Sequence, residues 1–221
     1  MSDSFATGSV DGVVIIWDIA SGTAKLTLKP HKTSGVRGLG FSNDGAFLVT
    51  GGDDAKVVIT QTDTGNQLKV LSGHNGGIKA CIFSPVSYVV YSIDRVEMRC
   101  WNPFLNPELL QILKTGTNSE IALSCDPKGR YVAFNIGKRL DVYETRDLSK
   151  FQYSYLKASA QIRSIAFSPD SKLIASTSNN GSLLIRNVKT GSNLICCYPS
   201  QKAVRKMILN IQIDRNGEKK K

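Results

Sequence analysis

Residues 36–71, VRGLGFSNDGAFLVTGGDDAKVVITQTDTGNQLKVL, decide the fold of this chain. Residues 36–41, 47–50, 56–59 and 67–71 are rich in the β-branched, aromatic and aliphatic residues that strands favour. Turn sequences separate them: Asn-Asp-Gly, Gly-Gly-Asp-Asp and Thr-Asp-Thr-Gly. The chain shows no convincing helical period over eleven or more residues. The stretch therefore predicts a unit of four short β-strands.

This unit recurs along the whole sequence. The residue that leads the first turn is Phe41, Phe83, Cys125 and Phe167 in successive units, always 42 residues apart. A second landmark lies near the end of the third strand, at Trp17, Thr60, Trp101, Tyr143 and Arg186. Its successive copies are 43, 41, 42 and 43 residues apart. Two landmarks that keep one period indicate propeller blades. The units are 1–30, 31–73, 74–117, 118–159 and 160–201, with a partial unit at 202–217 and a basic tail at 218–221.

At these landmarks the sequence resembles the WD-repeat family of β-propellers. Gly73-His74 and Trp17-Asp18 match the two dipeptides of the family consensus, and Phe167-Ser168-Pro169-Asp170 matches its first turn. The resemblance covers essentially the whole chain, although the repeats are degenerate. It implies an all-β propeller of about five four-stranded blades.

The resemblance also implies a structural hydrogen-bonded set in each blade, made of a loop His, a strand Ser or Thr, a turn Asp and a strand Trp. The second unit offers His31, Thr50 and Asp54 but has Thr60 in place of Trp; the third offers His74, Asp94 and Trp101 with Val90 at the Ser/Thr position; the first keeps Asp11 and Trp17. The fourth unit has neither His nor Asp, with Asn118 and Gly137 near those places. We expect the fourth and fifth blades to rely on packing.

The two ends of the sequence complement each other. The first unit lacks its initial strand, and Ile208, Ile211 and Ile213 lead into an Asp-Arg-Asn-Gly turn that reproduces one. Paired ends would give a closed ring of five blades. The family more often has seven blades, which needs about 300 residues at this period. The alternative is therefore a partial propeller that requires a partner chain.

Charge is divided unevenly over the 221 residues, whose net charge is +10. Residues 1–110 carry nine basic and ten acidic side chains, whereas residues 111–221 carry 19 basic and eight acidic ones. This asymmetry predicts either an acidic partner, which could be nucleic acid, an acidic protein or a membrane surface, or a solvated basic surface. No apolar run is long enough to cross a bilayer, and no secretion signal opens the sequence, so we expect no membrane insertion and a cytoplasmic or nuclear location.

The sequence indicates neither an enzyme nor a cofactor. Both histidines occupy the repeat position, and no nucleophile lies in a recognisable motif. The five cysteines show no C-x-x-C spacing, so no zinc site or disulfide framework is predicted. We expect no catalytic residue, no metal and no bound cofactor.

Function is therefore expected on the surface. Candidate partner-binding residues are Arg37, Lys79 and Arg163 at equivalent first-strand positions, Asp53 and Asn179 in the loops beside the turn, and Arg205 and Lys206 near the C-terminus. The three recurrent cations predict a basic ring that takes acidic or phosphate-bearing groups; ordinary solvated charges are the alternative. One functional class is a scaffold or adaptor for protein–protein interactions in a multiprotein complex. The other is a component of ribonucleoproteins, in ribosome biogenesis, RNA processing or translation, whose basic half contacts RNA.

Overall fold

The computed structural model describes residues 4–115, 121–146, 148, 151–155, 158 and 160–197. All of the regular elements in these ranges are β-strands. Within them, no helix has the length and apolarity needed to span a membrane. The chain divides into two compact units, Met1–Leu123 and Ser124–Lys221, here called unit 1 and unit 2.

Unit 1 contains three antiparallel sheets, which follow one another along the chain. Sheet 1 has three strands, β1 (Ser4–Gly8), β2 (Val14–Asp18) and β3 (Ala24–Leu28). Sheet 2 has four, β4 (Val36–Phe41), β5 (Phe47–Gly52), β6 (Val57–Gln61) and β7 (Gln67–Leu71). Sheet 3 is built in the same order from β8 (Ala80–Phe83), β9 (Val90–Ile93), β10 (Glu97–Trp101) and β11 (Leu109–Lys114).

Unit 2 contains two more sheets of four strands. Sheet 4 consists of β12 (Leu123–Cys125), β13 (Tyr131–Ile136), β14 (Arg139–Glu144) and β15 (Phe151–Tyr155). Sheet 5 consists of β16 (Ile162–Phe167), β17 (Leu173–Ser178), β18 (Leu183–Asn187) and β19 (Asn193–Cys197). The predicted all-β fold of four-stranded blades is confirmed. The strand expected from Ile208, Ile211 and Ile213 lies outside the described residues.

Each sheet is a meander in which consecutive strands pair. In every sheet, the pairing between the last two strands shifts by one residue at the second landmark. The shifts lie at Trp17, Thr60, Trp101, Tyr143 and Arg186. A bulge at the same place in every sheet is a feature of the repeat, because bulges bend and twist a strand locally.

The core of unit 1 lies between the faces of neighbouring sheets. Sheets 2 and 3 share a buried cluster that includes Val49, Ile59, Ile78 and Trp101. The sheets come close together at Gly38, where a Cβ atom would lie 2.6 Å from the backbone nitrogen of Cys81. Only glycine fits there without displacing one sheet from the other.

Candidate functional site

His74 lies at the centre of a buried hydrogen-bonded chain in sheet 3. Its Nδ1 lies 3.0 Å from Asp94 Oδ2, and its Nε2 lies 2.7 Å from Ser92 Oγ. Trp101 Nε1 donates to the same Ser92 Oγ at 2.8 Å. Since a carboxylate only accepts, Nδ1 carries the proton and the Ser92 hydroxyl donates to Nε2. Burial lowers the pKa of His74, and the hydrogen bond to Asp94 opposes that shift without cancelling it.

Ser92, not Val90, is therefore the Ser/Thr member of this set, and the expectation that sheet 3 lacks one was wrong. Thr50 lies four residues before Asp54, and the same count back from Asp94 reaches Val90. In the third unit the separation between the hydroxyl residue and the turn Asp is two residues shorter, so the hydroxyl lies only two residues before Asp94. The signal was available, because Ser92 follows Thr50 by the 42-residue period.

Sheets 1 and 2 hold partial versions of the set. In sheet 2, His31 Nδ1 lies 3.0 Å from Asp54 Oδ1 and its Nε2 lies 2.9 Å from Thr50 Oγ1. Thr60, in the Trp position, is buried. In sheet 1, Trp17 Nε1 donates to Thr7 Oγ1 at 2.9 Å, and the Ser9 hydroxyl donates to Asp11 Oδ1.

Sheet 3 also buries Glu97 beside the histidine. Its carboxylate accepts from Arg99 Nε at 2.5 Å and from Lys114 Nζ. Burial raises the pKa of Glu97, but the hydrogen bonds from Lys114 and Arg99 outweigh it, so the pKa stays below its usual value. One ligand atom from each of His74, Asp94 and Glu97 lies within 4.8 Å of the others, which is a spacing that a metal ion accepts. Both nitrogens of His74 are hydrogen-bonded and Glu97 is paired with two cations, so a metal would have to displace these partners.

Sheets 4 and 5 have other residue types at the Ser/Thr and Trp positions of the set. In sheet 4, Phe134 takes the place of the hydroxyl residue and stacks on Tyr143, with ring centroids 5.6 Å apart and planes 5° apart. In sheet 5, Arg186 replaces the Trp, is buried, and lies with Nη1 3.4 Å from Ser176 Oγ and Nε 2.9 Å from Asn193 Oδ1. At the Ser/Thr and Trp positions, sheet 4 thus relies on packing, whereas sheet 5 keeps polar contacts. Gly137 follows β13, and Asn118 lies outside the described residues.

Two of the predicted partner-binding cations hold a neighbour in their own sheet. Arg37 is the extra residue of a bulge in β4 and reaches Asp53, with Nη2 2.7 Å and Nε 2.9 Å from Oδ2. The hydrogen bond from Arg37 lowers the pKa of Asp53. Arg163 is the extra residue of the equivalent bulge in β16, and its Nε donates to Asn179 Oδ1. The repeat therefore pairs the first-strand cation with the loop residue, and in sheet 2 the pair is neutral overall.

Fewer contacts describe the other partner-binding candidates. Lys79 has its backbone nitrogen bonded to the carbonyl oxygen of Ile93 at 2.8 Å, and its ammonium group lowers the pKa of Asp53. Arg205 and Lys206 lie outside the described residues.

An exposed cluster in unit 1, the aromatic patch, was missed from the sequence. Phe47, Tyr88 and Phe104 contact one another with ring centroids 5.0–5.6 Å apart. Val86, two residues before Tyr88, and Leu105, directly after Phe104, add apolar side chains that are 61% and 51% exposed. Its rings come from the start of β5, where Phe47 is half-buried, and from two turns, and they lie up to 57 positions apart in the sequence, so no local pattern reveals the patch.

The edge of the aromatic patch carries a fixed negative charge. The Tyr88 hydroxyl donates to Asp44 Oδ2 at 2.6 Å. Hydrogen bonds from Ser42 and Tyr88 lower the pKa of Asp44 to about 2. The patch therefore combines apolar rings with a carboxylate that stays ionised at neutral pH.

The model of the WD domain, G-beta repeat, matches residues 22–60 and 149–187. Both matches end at the second landmark, where the bulges lie. The chain carries WD repeats. The family resemblance inferred from the sequence is confirmed, with WD repeats matched in these two regions.

Curated WD-repeat relatives resemble this chain over different lengths. Serine-threonine kinase receptor-associated protein of Gallus gallus is 26% identical over 86% of the chain and 53% of its own length. WD repeat and SOCS box-containing protein 1 of Homo sapiens is 36% identical over 44% of the chain and 24% of its own length. Nuclear distribution protein nudF of Emericella nidulans is 32% identical over 36% of the chain and 18% of its own length. The chain thus spans about half, or less, of the relatives it matches.

Proposed function

We propose that this WD-repeat chain is a non-catalytic scaffold or adaptor that mediates protein–protein interactions within a multiprotein complex. The aromatic patch is the observation that carries the proposal. Contiguous exposed apolar surface of this kind marks interaction sites, and aromatic side chains dominate binding energy at protein interfaces. The similarity to WD-repeat relatives supports the same general role.

The buried histidines support a role without catalysis. Both ring nitrogens of His31 and of His74 are hydrogen-bonded inside their sheets. A general base must reach a substrate proton with a free nitrogen, and these nitrogens are engaged in holding strands together.

Affinity purification with a matched control tests the proposal. The variant V86S/L105S removes exposed apolar side chains beside the rings of the aromatic patch, whereas V10S/V96S removes exposed apolar side chains from other turns of unit 1. The tagged full chain and both variants are purified from cells, with and without nuclease, and the captured proteins are quantified. We expect V86S/L105S to lose its main partners about tenfold or more, since hot-spot contacts are worth at least about 1–2 kcal/mol.

The control variant is expected to keep the partners of the unaltered chain. Equal capture by V86S/L105S would show that the patch is not the interaction surface. Partners that disappear with nuclease would point instead to the ribonucleoprotein class, with RNA bridging the proteins.

A further inference from the structure

A small basic cavity lies in unit 2, where the first turns of sheets 4 and 5 come together. Its volume is about 230 Å³, and it is lined by residues 128, 130–131, 170–172 and 187–189. Pockets that hold drug-sized molecules measure about 300–1,000 Å³, so this one suits a single compact group.

The charge of the cavity lining is strongly positive. Among the described residues of the lining, Lys128, Arg130, Lys172 and Lys189 face one carboxylate, that of Asp170. Burial raises the pKa of Asp170, but hydrogen bonds from the Ser168 hydroxyl and the Lys172 amide, and the charges of Lys172 and Lys128, bring it below its usual value. Asp170 is therefore ionised, and four cations still leave a net charge of about +3.

A second carboxylate lies just behind the lining and is already engaged. Asp126 is buried and accepts the backbone N–H groups of Arg130 and Tyr131, while Arg130 Nε lies 3.4 Å from its Oδ2. Lys128 and Lys172 have no hydrogen bond or ion pair from their ammonium groups within the described part of the chain. These two lysines are available to a ligand.

Ser171 in the cavity wall is unusual on two counts. Its φ is +61°, at the turn position that glycine fills in two other sheets, with Gly45 at +72° and Gly129 at +63°. A side chain at this φ costs about 1 kcal/mol or more. Its hydroxyl is also buried without a hydrogen-bond partner among the described residues, which is a second cost. Glycine would avoid both costs, so the hydroxyl itself needs an explanation. The hydroxyl is buried as it stands, and a rotation about χ1 toward a ligand in the cavity would give it a partner.

The chemistry of the lining selects the ligand. A phosphate monoester carries nearly two negative charges and three strong acceptor oxygens, which matches several ammonium donors and one hydroxyl around a small cavity. A nucleic-acid diester carries one charge per phosphate, and its binding relies on cations spread along a track. We propose that this cavity binds a phosphorylated serine or threonine of a partner protein. The inference rests on the proposed adaptor function and names one class of partner.

Binding of a defined probe tests the proposal on the full chain. The probe is a fluorescent peptide library with a central phosphoserine and degenerate flanks, and fluorescence anisotropy compares it with the unphosphorylated library and with oligouridine at about 150 mM salt. We expect the phosphorylated library to bind at least about tenfold more tightly than the unphosphorylated one.

Three variants separate binding from folding. K128Q/K172Q should lose at least about tenfold in affinity, and the control K25Q/K56Q, on exposed lysines of unit 1, should lose none. S171G should lose about threefold to tenfold in affinity while its thermal stability stays equal or rises, since glycine relieves the strain.

Opposite results would overturn the proposal in distinct ways. Equal affinity for both peptide libraries would exclude phosphate recognition. Tighter binding of oligouridine through the same lysines would assign the cavity to RNA. A loss of stability in S171G with unchanged affinity would make Ser171 a structural residue. V86S/L105S leaves the cavity intact. Loss of captured partners by this variant tests the aromatic patch, and peptide binding by K128Q/K172Q tests the cavity, so the two proposals can fail separately.

Discussion

Ser92 shows how one hydroxyl organises a buried set of polar side chains. It accepts from Trp101 Nε1 and donates to His74 Nε2, while His74 donates to Asp94, so every polar atom along this line has a partner. The equivalent positions elsewhere hold a stacked aromatic pair in sheet 4 and an arginine with a serine in sheet 5. At this position, neighbouring strands are therefore joined either by close packing of side chains or by complete hydrogen bonding, and different residue types achieve it.

S92A should therefore be costly. The change leaves both the Trp101 N–H and the His74 Nε2 buried without partners, and each orphaned group costs about 1–3 kcal/mol. We expect the free energy of unfolding, measured in urea, to fall by about 2–4 kcal/mol. The control S87A removes an exposed hydroxyl and should change it by less than about 0.5 kcal/mol. A cost for S92A no larger than that of S87A would contradict the role assigned to this hydroxyl.

The sequence predicts the parts of the site that depend on the repeat period. His74, Asp94 and Trp101 are found in this way, because each follows its counterpart at about 42 residues. Contacts that depend on loop length or on distant turns escape this reasoning. Counting back from Asp94 misplaces the hydroxyl at Val90, although Ser92 itself keeps the 42-residue period. The contact between Tyr88 and Phe104 joins two turns that no periodicity relates. Likewise, the pairing of Arg37 with Asp53 depends on a bulge that sequence patterns do not show.

At the scale of elements, sheets 2 and 3 are held together by close packing rather than by shared strands. Val49 and Ile59 on one side and Ile78 and Trp101 on the other are buried in one cluster. Protein interiors have crystal-like density, so a sheet cannot move away to admit an extra methyl group without opening gaps elsewhere. An ideal Cβ at Gly38 would lie 2.6 Å from the Cys81 backbone nitrogen, so a substitution at this position tests that packing directly.

G38A should destabilise unit 1. The added methyl group would meet backbone atoms of β8, which cannot rotate away as a flexible side chain does. We expect a loss of about 1–3 kcal/mol in the free energy of unfolding, the usual cost of overpacking. G76A is the matched control, because a Cβ there has no neighbour within 4 Å and the backbone does not require positive φ. Chemical denaturation of both variants makes the comparison, and equal stabilities would show that the sheets separate easily.

At the scale of the whole molecule, the step in charge follows the division into units. Unit 1 contains ten basic and eleven acidic residues, whereas unit 2 contains eighteen and seven. The aromatic patch belongs to the nearly neutral unit and the basic cavity to the positive one. The two proposed surfaces therefore differ in the forces that attract a partner, since apolar burial is insensitive to moderate salt and phosphate capture weakens with it.

Two buried cysteines report on the integrity of sheet 3. Cys81 and Cys100 are buried in sheet 3, where burial raises the pKa of both thiols, that of Cys100 to about 12. Cys196, in β19 of unit 2, is exposed. Because the thiolate is the reactive form, a buried thiol with a raised pKa reacts only when its surroundings open.

Alkylation of the native chain at pH 8, followed by mass mapping of the modified peptides, should find Cys196 modified at least about a hundredfold faster than Cys81 or Cys100. In denaturing urea the three rates should become similar, which controls for intrinsic reactivity. Since Cys81 and Cys100 lie in one sheet, we also expect their rates to rise together as urea is added. Rapid native modification of either thiol would mean that sheet 3 opens locally, and the buried chain through His74 would then not hold it closed.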